Sequence, residues 1–195
     1  YAGYKVISDI SLGGENWMPI TNFRGVFDAD GHKISNLKIT SSSLYTGLFG
    51  NTDRAAINNL FLENVDISIN SSSALYIGSL IGFCSNSDVL NCSSSGVIIL
   101  YGNSESNIYA GGVIGRSSYS KLTGLSSSVF LSVNSFNYSY VGGITGTDSD
   151  TEWINCFSSS DISSNSTYLS LGGLSGTSSL GVVKNCYAGK GSISG

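Results

Sequence analysis

Apolar and polar residues alternate along most of this chain in short runs of two to six positions, with β-branched and aromatic residues set among Ser and Gly. Good helix formers are scarce, with one Met and few Glu, Lys or Ala, so the pattern predicts an all-β protein. The pattern also repeats. A block of glycines around aliphatics recurs as Gly47-Leu48-Phe49-Gly50, Gly78-Ser79-Leu80-Ile81-Gly82, Gly111-Gly112-Val113-Ile114-Gly115, Gly142-Gly143-Ile144-Thr145-Gly146 and Gly172-Gly173-Leu174-Ser175-Gly176. Seven residues after each closing Gly begins a second block: Ile57-Asn58-Asn59-Leu60, Val89-Leu90-Asn91-Cys92, Leu122-Thr123-Gly124-Leu125, Trp153-Ile154-Asn155-Cys156 and Val183-Lys184-Asn185-Cys186. Both blocks advance by 32, 33, 31 and 30 residues, so they share one register through five copies. Length variation falls instead between the second block and the next glycines, where polar runs such as Gly102-Asn103-Ser104-Glu105-Ser106-Asn107 read as loop.

A unit of about three short strands cannot bury its own apolar face, but copies stacked at roughly 4.8 Å per coil share one core. The expected fold is a parallel β-helix, a β-solenoid of about 31 residues per repeat, right-handed by the crossover preference of parallel strands. Residues 1–46 form the entry segment and first coil, and residues 47–195 form five coils of one continuous domain. Stacking makes columns. Leu48, Leu80, Val113, Ile144 and Leu174 should face the interior. Leu60, Cys92, Leu125, Cys156 and Cys186 share a second column, where Cys replaces Leu as a small hydrophobe. Asn59, Asn91, Asn155 and Asn185, interrupted by Gly124, predict a ladder of amides at a turn.

Composition narrows the function. Ser supplies 40 of 195 residues, Gly 25, Asn 17 and Thr 10, against 22 charged residues and one Pro. The chain is polar but uncharged, and its 41% hydrophobic content still allows a core. Net charge is -4 and the nine basic residues are scattered, which excludes nucleic acid as a partner. No apolar run reaches the roughly 18 residues a membrane helix needs. The chain begins with Tyr1 and no basic-then-apolar leader, which predicts a processed chain or an excised piece.

The entry segment contains Trp17-Met18-Pro19-Ile20 and then Phe23-Arg24-Gly25-Val26-Phe27-Asp28-Ala29-Asp30-Gly31-His32-Lys33-Ile34-Ser35-Asn36-Leu37, followed by Gly47-Leu48-Phe49-Gly50. This arrangement resembles the start of GLUG-repeat proteins, and the later Gly-Gly and Asn-Cys blocks resemble that family's repeating unit across essentially the whole chain. The departure is Asp28-Ala29-Asp30-Gly31, where the family usually has Asp-Gly-Asn-Gly; Gly31 still supplies positive φ for the turn. The resemblance implies a secreted or surface-attached microbial protein, of the kind found in adhesin-like proteins and in the non-catalytic parts of some immunoglobulin A proteases. It carries over no catalytic residue.

The chain's own candidates for chemistry are few. His32 is the one histidine and lies in a structural turn, there is no His-Glu-x-x-His, and the cysteines lack zinc spacing, so neither metal nor other cofactor is expected. Asp148, Asp150 and Glu152 cluster after Gly146 and read as a solvated turn, and Asp28-Ala29-Asp30-Gly31 lacks the Glu of a calcium loop. Tyr76, Tyr109 and Tyr140 recur six residues before a closing Gly, in the place of Leu44 and Ser170. Strict alternation from the aliphatic column turns them inward as structure, whereas a bulge at the glycines would turn them outward as a strip for sugar rings or a partner. Asn70, Asn91, Asn137 and Asn165 begin glycosylation sequons, of which Asn91 belongs to the ladder and the other three to variable loops. Ser93 to Ser95, Ser126 to Ser128 and Ser158 to Ser160 stack as hydroxyl ladders or carry O-linked sugars. Cys84 with Cys92 is the first disulfide expected, and Cys156 with Cys186 the second, unless the latter two remain stacked thiols.

These features point to a non-catalytic extracellular module, a structural or adhesive stretch of a surface protein, fibre or sheath. Its expected partners are other copies or adjacent repeats joined end to end, and host or matrix glycans. The alternative is a carbohydrate-binding or carbohydrate-active β-helix that uses the Tyr strip or the acidic turn. An ice-binding surface would need regular Thr rows, and the ten threonines are irregularly spaced.

Overall fold

In a computed structural model, which describes residues 2–103 and 107–195, the chain is an all-β solenoid of about five turns. Tyr1 and the centre of the Gly102 to Asn107 loop lie outside the described residues. Every strand pairing among them is parallel and joins one coil to the next, for example Val89 with Ile57 below and Leu122 above. The coils hold four strands rather than the three expected, and in the last two the fourth is broken in two, as Phe157–Ser158 with Asp161–Ser164 and Tyr187–Ala188 with Ile193–Ser194. One coil runs Leu75–Gly78, Ile81–Ser85, Asp88–Leu90 and Ser93–Gly102. The stacked equivalents make four sheets of five, five, seven and ten strands. The entry residues add two lower rungs through Ala2–Lys5, Ile10–Ser11, Gly25–Asp28 and Lys33–Ser35.

The extra strand arises at the glycine block. Six consecutive residues, Ile77 to Gly82, are buried because the chain turns a corner there between two short strands. Close approach demands the glycines: a Cβ on Gly78 would run into the carbonyl oxygen of Val113, and one on Gly82 would lie 2.5 Å from the Thr46 nitrogen. The second block also splits, because Asn59 and its equivalents end one strand before the next begins at Phe61. Val65 to Ile69 then continue the same strand, Phe61–Ser71, as one long face.

Left-handed backbone makes two further corners per coil. Asn59, Asn91, Gly124, Asn155 and Asn185 have φ between 52° and 65°, and Arg54, Asn86, Tyr119, Asp150 and Leu180 have φ between 48° and 57°. Asn tolerates this region at little cost, which accounts for its recurrence. At one of these corners the amides form a ladder in two pieces. Asn59 Nδ2 donates to Asp28 Oδ1 at 3.0 Å and Asn91 Nδ2 to Asn59 Oδ1 at 3.3 Å, and beyond Gly124 Asn185 Nδ2 donates to Asn155 Oδ1 at 3.3 Å.

The core is one continuous apolar column set. Leu48, Leu80, Val113 and Ile144 are buried, as are Leu60, Cys92, Leu125 and Cys156, while Leu174 and Cys186 on the last coil are half-buried. The Leu80 nitrogen donates to the Val113 oxygen at 3.0 Å, so adjacent coils lie directly on one another.

Candidate functional site

The strand Leu75–Gly78 places Tyr76 outward between the buried Leu75 and Ile77, and Tyr109 and Tyr140 occupy the same half-buried position. The inward expectation from strict alternation is thus overturned, because the glycine corner breaks the two-residue count from Leu80. The strip also begins one coil earlier than expected. Tyr45, not Leu44, pairs with Tyr76, because the first coil's glycine block lacks one residue. Phe83 from the adjacent sheet flanks it, and the Arg116 guanidinium lies 6.0 Å from the Tyr76 ring and 5.7 Å from Phe83.

Ring geometry decides what this strip presents. Tyr76 and Tyr109 stack at 4.6 Å between centroids with planes 7° apart, and Tyr109 and Tyr140 at 5.1 Å and 5°. A second stack, Tyr138 on Tyr168 at 4.6 Å, runs beside it, with Tyr138 and Tyr140 6.5 Å apart and nearly parallel. The faces of the middle rings cover one another, so only their edges and phenols reach solvent. Burial, with Tyr76 and Tyr140 alongside, pushes the Tyr109 phenol above its ordinary pKa. An extended flat sugar platform is therefore not exposed along Tyr76 and Tyr109. The run ends at Ser170, where Tyr140 pairs with a residue that has no ring. There a depression of about 420 Å³ opens among Tyr138, Tyr140, Tyr168, Thr167 and Ser170.

The acidic turn does not converge. Asp148 is buried rather than solvated, accepting hydrogen bonds from Ser175 Oγ and Ser178 Oγ at 2.6 Å each and from Thr145 Oγ1 at 3.3 Å. Asp150 forms the left-handed corner and accepts from Ser149. Glu152 faces out between Lys184 at 3.1 Å and Lys121 at 3.4 Å, which hold its carboxyl below the usual range. The pairing places Asp148 in the interior column with Cys84 and Ser117, within the strand Thr145–Ser149 that follows the glycine corner rather than in the turn after it. Asp28 Oδ1 accepts from the Asp30 nitrogen and from Asn59, so that turn starts the amide ladder. His32 Nδ1, just after that turn, meets Asp9 Oδ1 of the rung below at 3.1 Å.

All four cysteines are free thiols, so neither expected disulfide is formed. Cys84 reaches Ser120 Oγ at 3.6 Å on the next coil, whereas Cys92 points to backbone carbonyls of Leu90 and Ile57. The two thiols serve different columns. Cys186 Sγ accepts from the Cys156 nitrogen at 3.2 Å, which is a stacked-thiol arrangement. Burial pushes the Cys92 and Cys156 thiols up to about 12 and raises that of Cys84.

The first two serine triplets stack in phase, Ser93 to Ser95 on Ser126 to Ser128, and the third is shifted by one, so that Ser94, Ser127 and Ser158 share a buried column. Among the sequon residues, Asn70 and Asn165 are exposed beside Tyr101, Asn134 and Phe136, and Asn137 is half-buried. Asn91 is exposed, with its amide engaged in the ladder.

No family model matches this sequence, and no curated protein does. A solved structure shares the fold. The crystal structure of a Bacteroides ovatus protein provisionally named an immunoglobulin A1 protease superposes with a TM-score of 0.61 and 18% identity. The match covers 96% of this chain and 68% of that one. At that identity the likeness concerns the fold, and the proteolytic name belongs to the other protein.

Proposed function

We propose that this chain is a non-catalytic segment of an extracellular, surface-attached β-solenoid of the GLUG-repeat kind, which acts as a structural and adhesive spacer. One observation carries this reading. Each internal coil buries its apolar columns only against its neighbours, Leu80 against Val113 and Val89 between Ile57 and Leu122, through parallel pairings that repeat from coil to coil. A unit built in this way extends by adding coils in the same register, so a further coil or a second copy is its natural end-to-end partner. The side faces, rich in Ser, Asn and Tyr, are left for adhesive contacts with matrix glycans.

Sedimentation velocity over a range of concentrations tests the stacking. Concentration-dependent growth that Val183→Lys suppresses supports it. A chain that stays monomeric throughout, with the same profile for Val183→Lys, overturns it. The proteolytic name of the Bacteroides structure is tested separately by incubating this chain with immunoglobulin A1, where an intact heavy chain is the expected result.

A further inference from the structure

The tyrosine stack stops one ring short of the last coil. Tyr76, Tyr109 and Tyr140 hand their faces on from rung to rung, but the next position is Ser170, so the outer face of Tyr140 has no ring upon it. Beside the gap the second stack does continue, because Tyr168 covers Tyr138. The result is a notch one ring wide and one coil deep, roughly 4.8 Å along the axis, with Tyr140 as one wall and Tyr168 as the flank.

The rim is hydroxylic. Ser170 Oγ donates to the Gly176 oxygen at 2.6 Å and accepts from Thr177 Oγ1 at 3.2 Å, and Thr167 stands exposed at the edge. No charged side chain lines the notch among the described residues. A ligand matching this place has one flat apolar face, a polar periphery and no net charge. A phenyl ring satisfies the first condition only, and an anion or cation finds no partner.

We propose that the notch is a subsite for one neutral pyranose ring, which lies over Ser170 and stacks its C–H face on Tyr140, continuing the aromatic column. It deepens the adhesive half of the reading above by naming the ligand class and the place. The stacking half is independent of it. Tyr45 and Phe83 lie against Tyr76 at the other end of the stack, so Tyr140 carries its one open face and the sugar is bound at the end of the strip and not along it.

Saturation-transfer NMR with methyl β-glucopyranoside, methyl β-galactopyranoside and methyl α-mannopyranoside tests this directly, with p-cresol as the aromatic comparison. The expected result is transfer to the ring C–H protons of at least one glycoside. Ser170→Tyr fills the notch at the loss of the Ser170 Oγ hydrogen bonds to Gly176 and Thr177, and it should weaken that binding about tenfold or more in a chain that still unfolds cooperatively. Tyr140→Leu should do the same by removing the face. Tyr76→Leu, two rungs below Tyr140, should leave binding within about twofold. Silence from all three glycosides, retention of binding in Ser170→Tyr, or p-cresol binding that outcompetes the sugars would each overturn the proposal. Sedimentation of Ser170→Tyr, unchanged from the parent, keeps this result separate from the test of end-to-end stacking.

Discussion

Gly124 interrupts the amide ladder, and closing the gap is a quantitative test of what the ladder contributes. Its φ of 65° is close to the 52° to 54° of the four ladder asparagines, so Gly124→Asn asks for no new backbone conformation. The added Cβ would lie 2.6 Å from Asn91 Oδ1, the free end of a flexible side chain that now leans into the gap. A small rotation of that amide turns the clash into an acceptor for the introduced Nδ2, and Asn155 Nδ2 can then donate to the introduced oxygen. Two half-exposed amide hydrogen bonds contribute about 0.5 kcal/mol each. Losing a glycine from the unfolded chain adds about 0.5 kcal/mol, and the left-handed conformation costs Asn a similar amount. The net is about 1 kcal/mol of stabilisation, a rise of about 2 to 4 °C in melting temperature for a chain of this length. Gly124→Ala bears the left-handed strain without the amide and should lose about 1 kcal/mol. Urea and thermal melts followed by far-ultraviolet circular dichroism measure both. If Gly124→Asn proves no more stable than Gly124→Ala, the ladder is decoration and the argument fails.

Other consequences concern the core, the thiols and acid. Leu131→Ala, at a fully buried site in the central coils, should cost about 2 to 5 kcal/mol in urea unfolding. Ser139 is buried between Ile108 and Leu169 with no partner for its hydroxyl, so Ser139→Val should raise stability by about 1 kcal/mol; a loss would mean the hydroxyl is satisfied. With the Cys92 and Cys156 thiols near 12 and Cys84 fully buried, an aromatic disulfide reagent at neutral pH should modify Cys186 alone until the chain unfolds, as peptide mapping would show. Asp28, Asp161 and Glu152 have folded pKa values below the ordinary carboxylate value, held there by hydrogen bonds from Asp30, Ser192 and Lys184 respectively. Their stabilisation is therefore complete above about pH 4 and is lost as pH falls through the folded values, so melting temperature should decline below about pH 4 and not between about pH 5 and pH 7.

The repeat length, the parallel stacking and the aliphatic columns were all legible in the sequence, because a coil that cannot bury its own face must repeat its apolar positions at the stacking period. The amide ladder was legible for the same reason, with Asn marking a corner that needs left-handed backbone. What could not be counted along the chain was the direction of side chains beyond a corner. Tyr76 was counted inward by alternation from Leu80, a step that crosses a corner where consecutive residues are buried together. The periodicity of a strand holds only within that strand. Tyr45 escaped because a one-residue difference in the first coil shifts its register.

Local pattern thus determined the coil and its interior columns, which depend on burial repeated five times over. Tertiary structure alone decided that the tyrosines face outward, that their rings cover each other, and that Ser170 leaves one face open. Those outcomes depend on how far the glycine-lined corner of each coil rotates one strand against the next, and that angle is set by close contacts between neighbouring coils, such as Gly78 against Val113, that no single repeat contains.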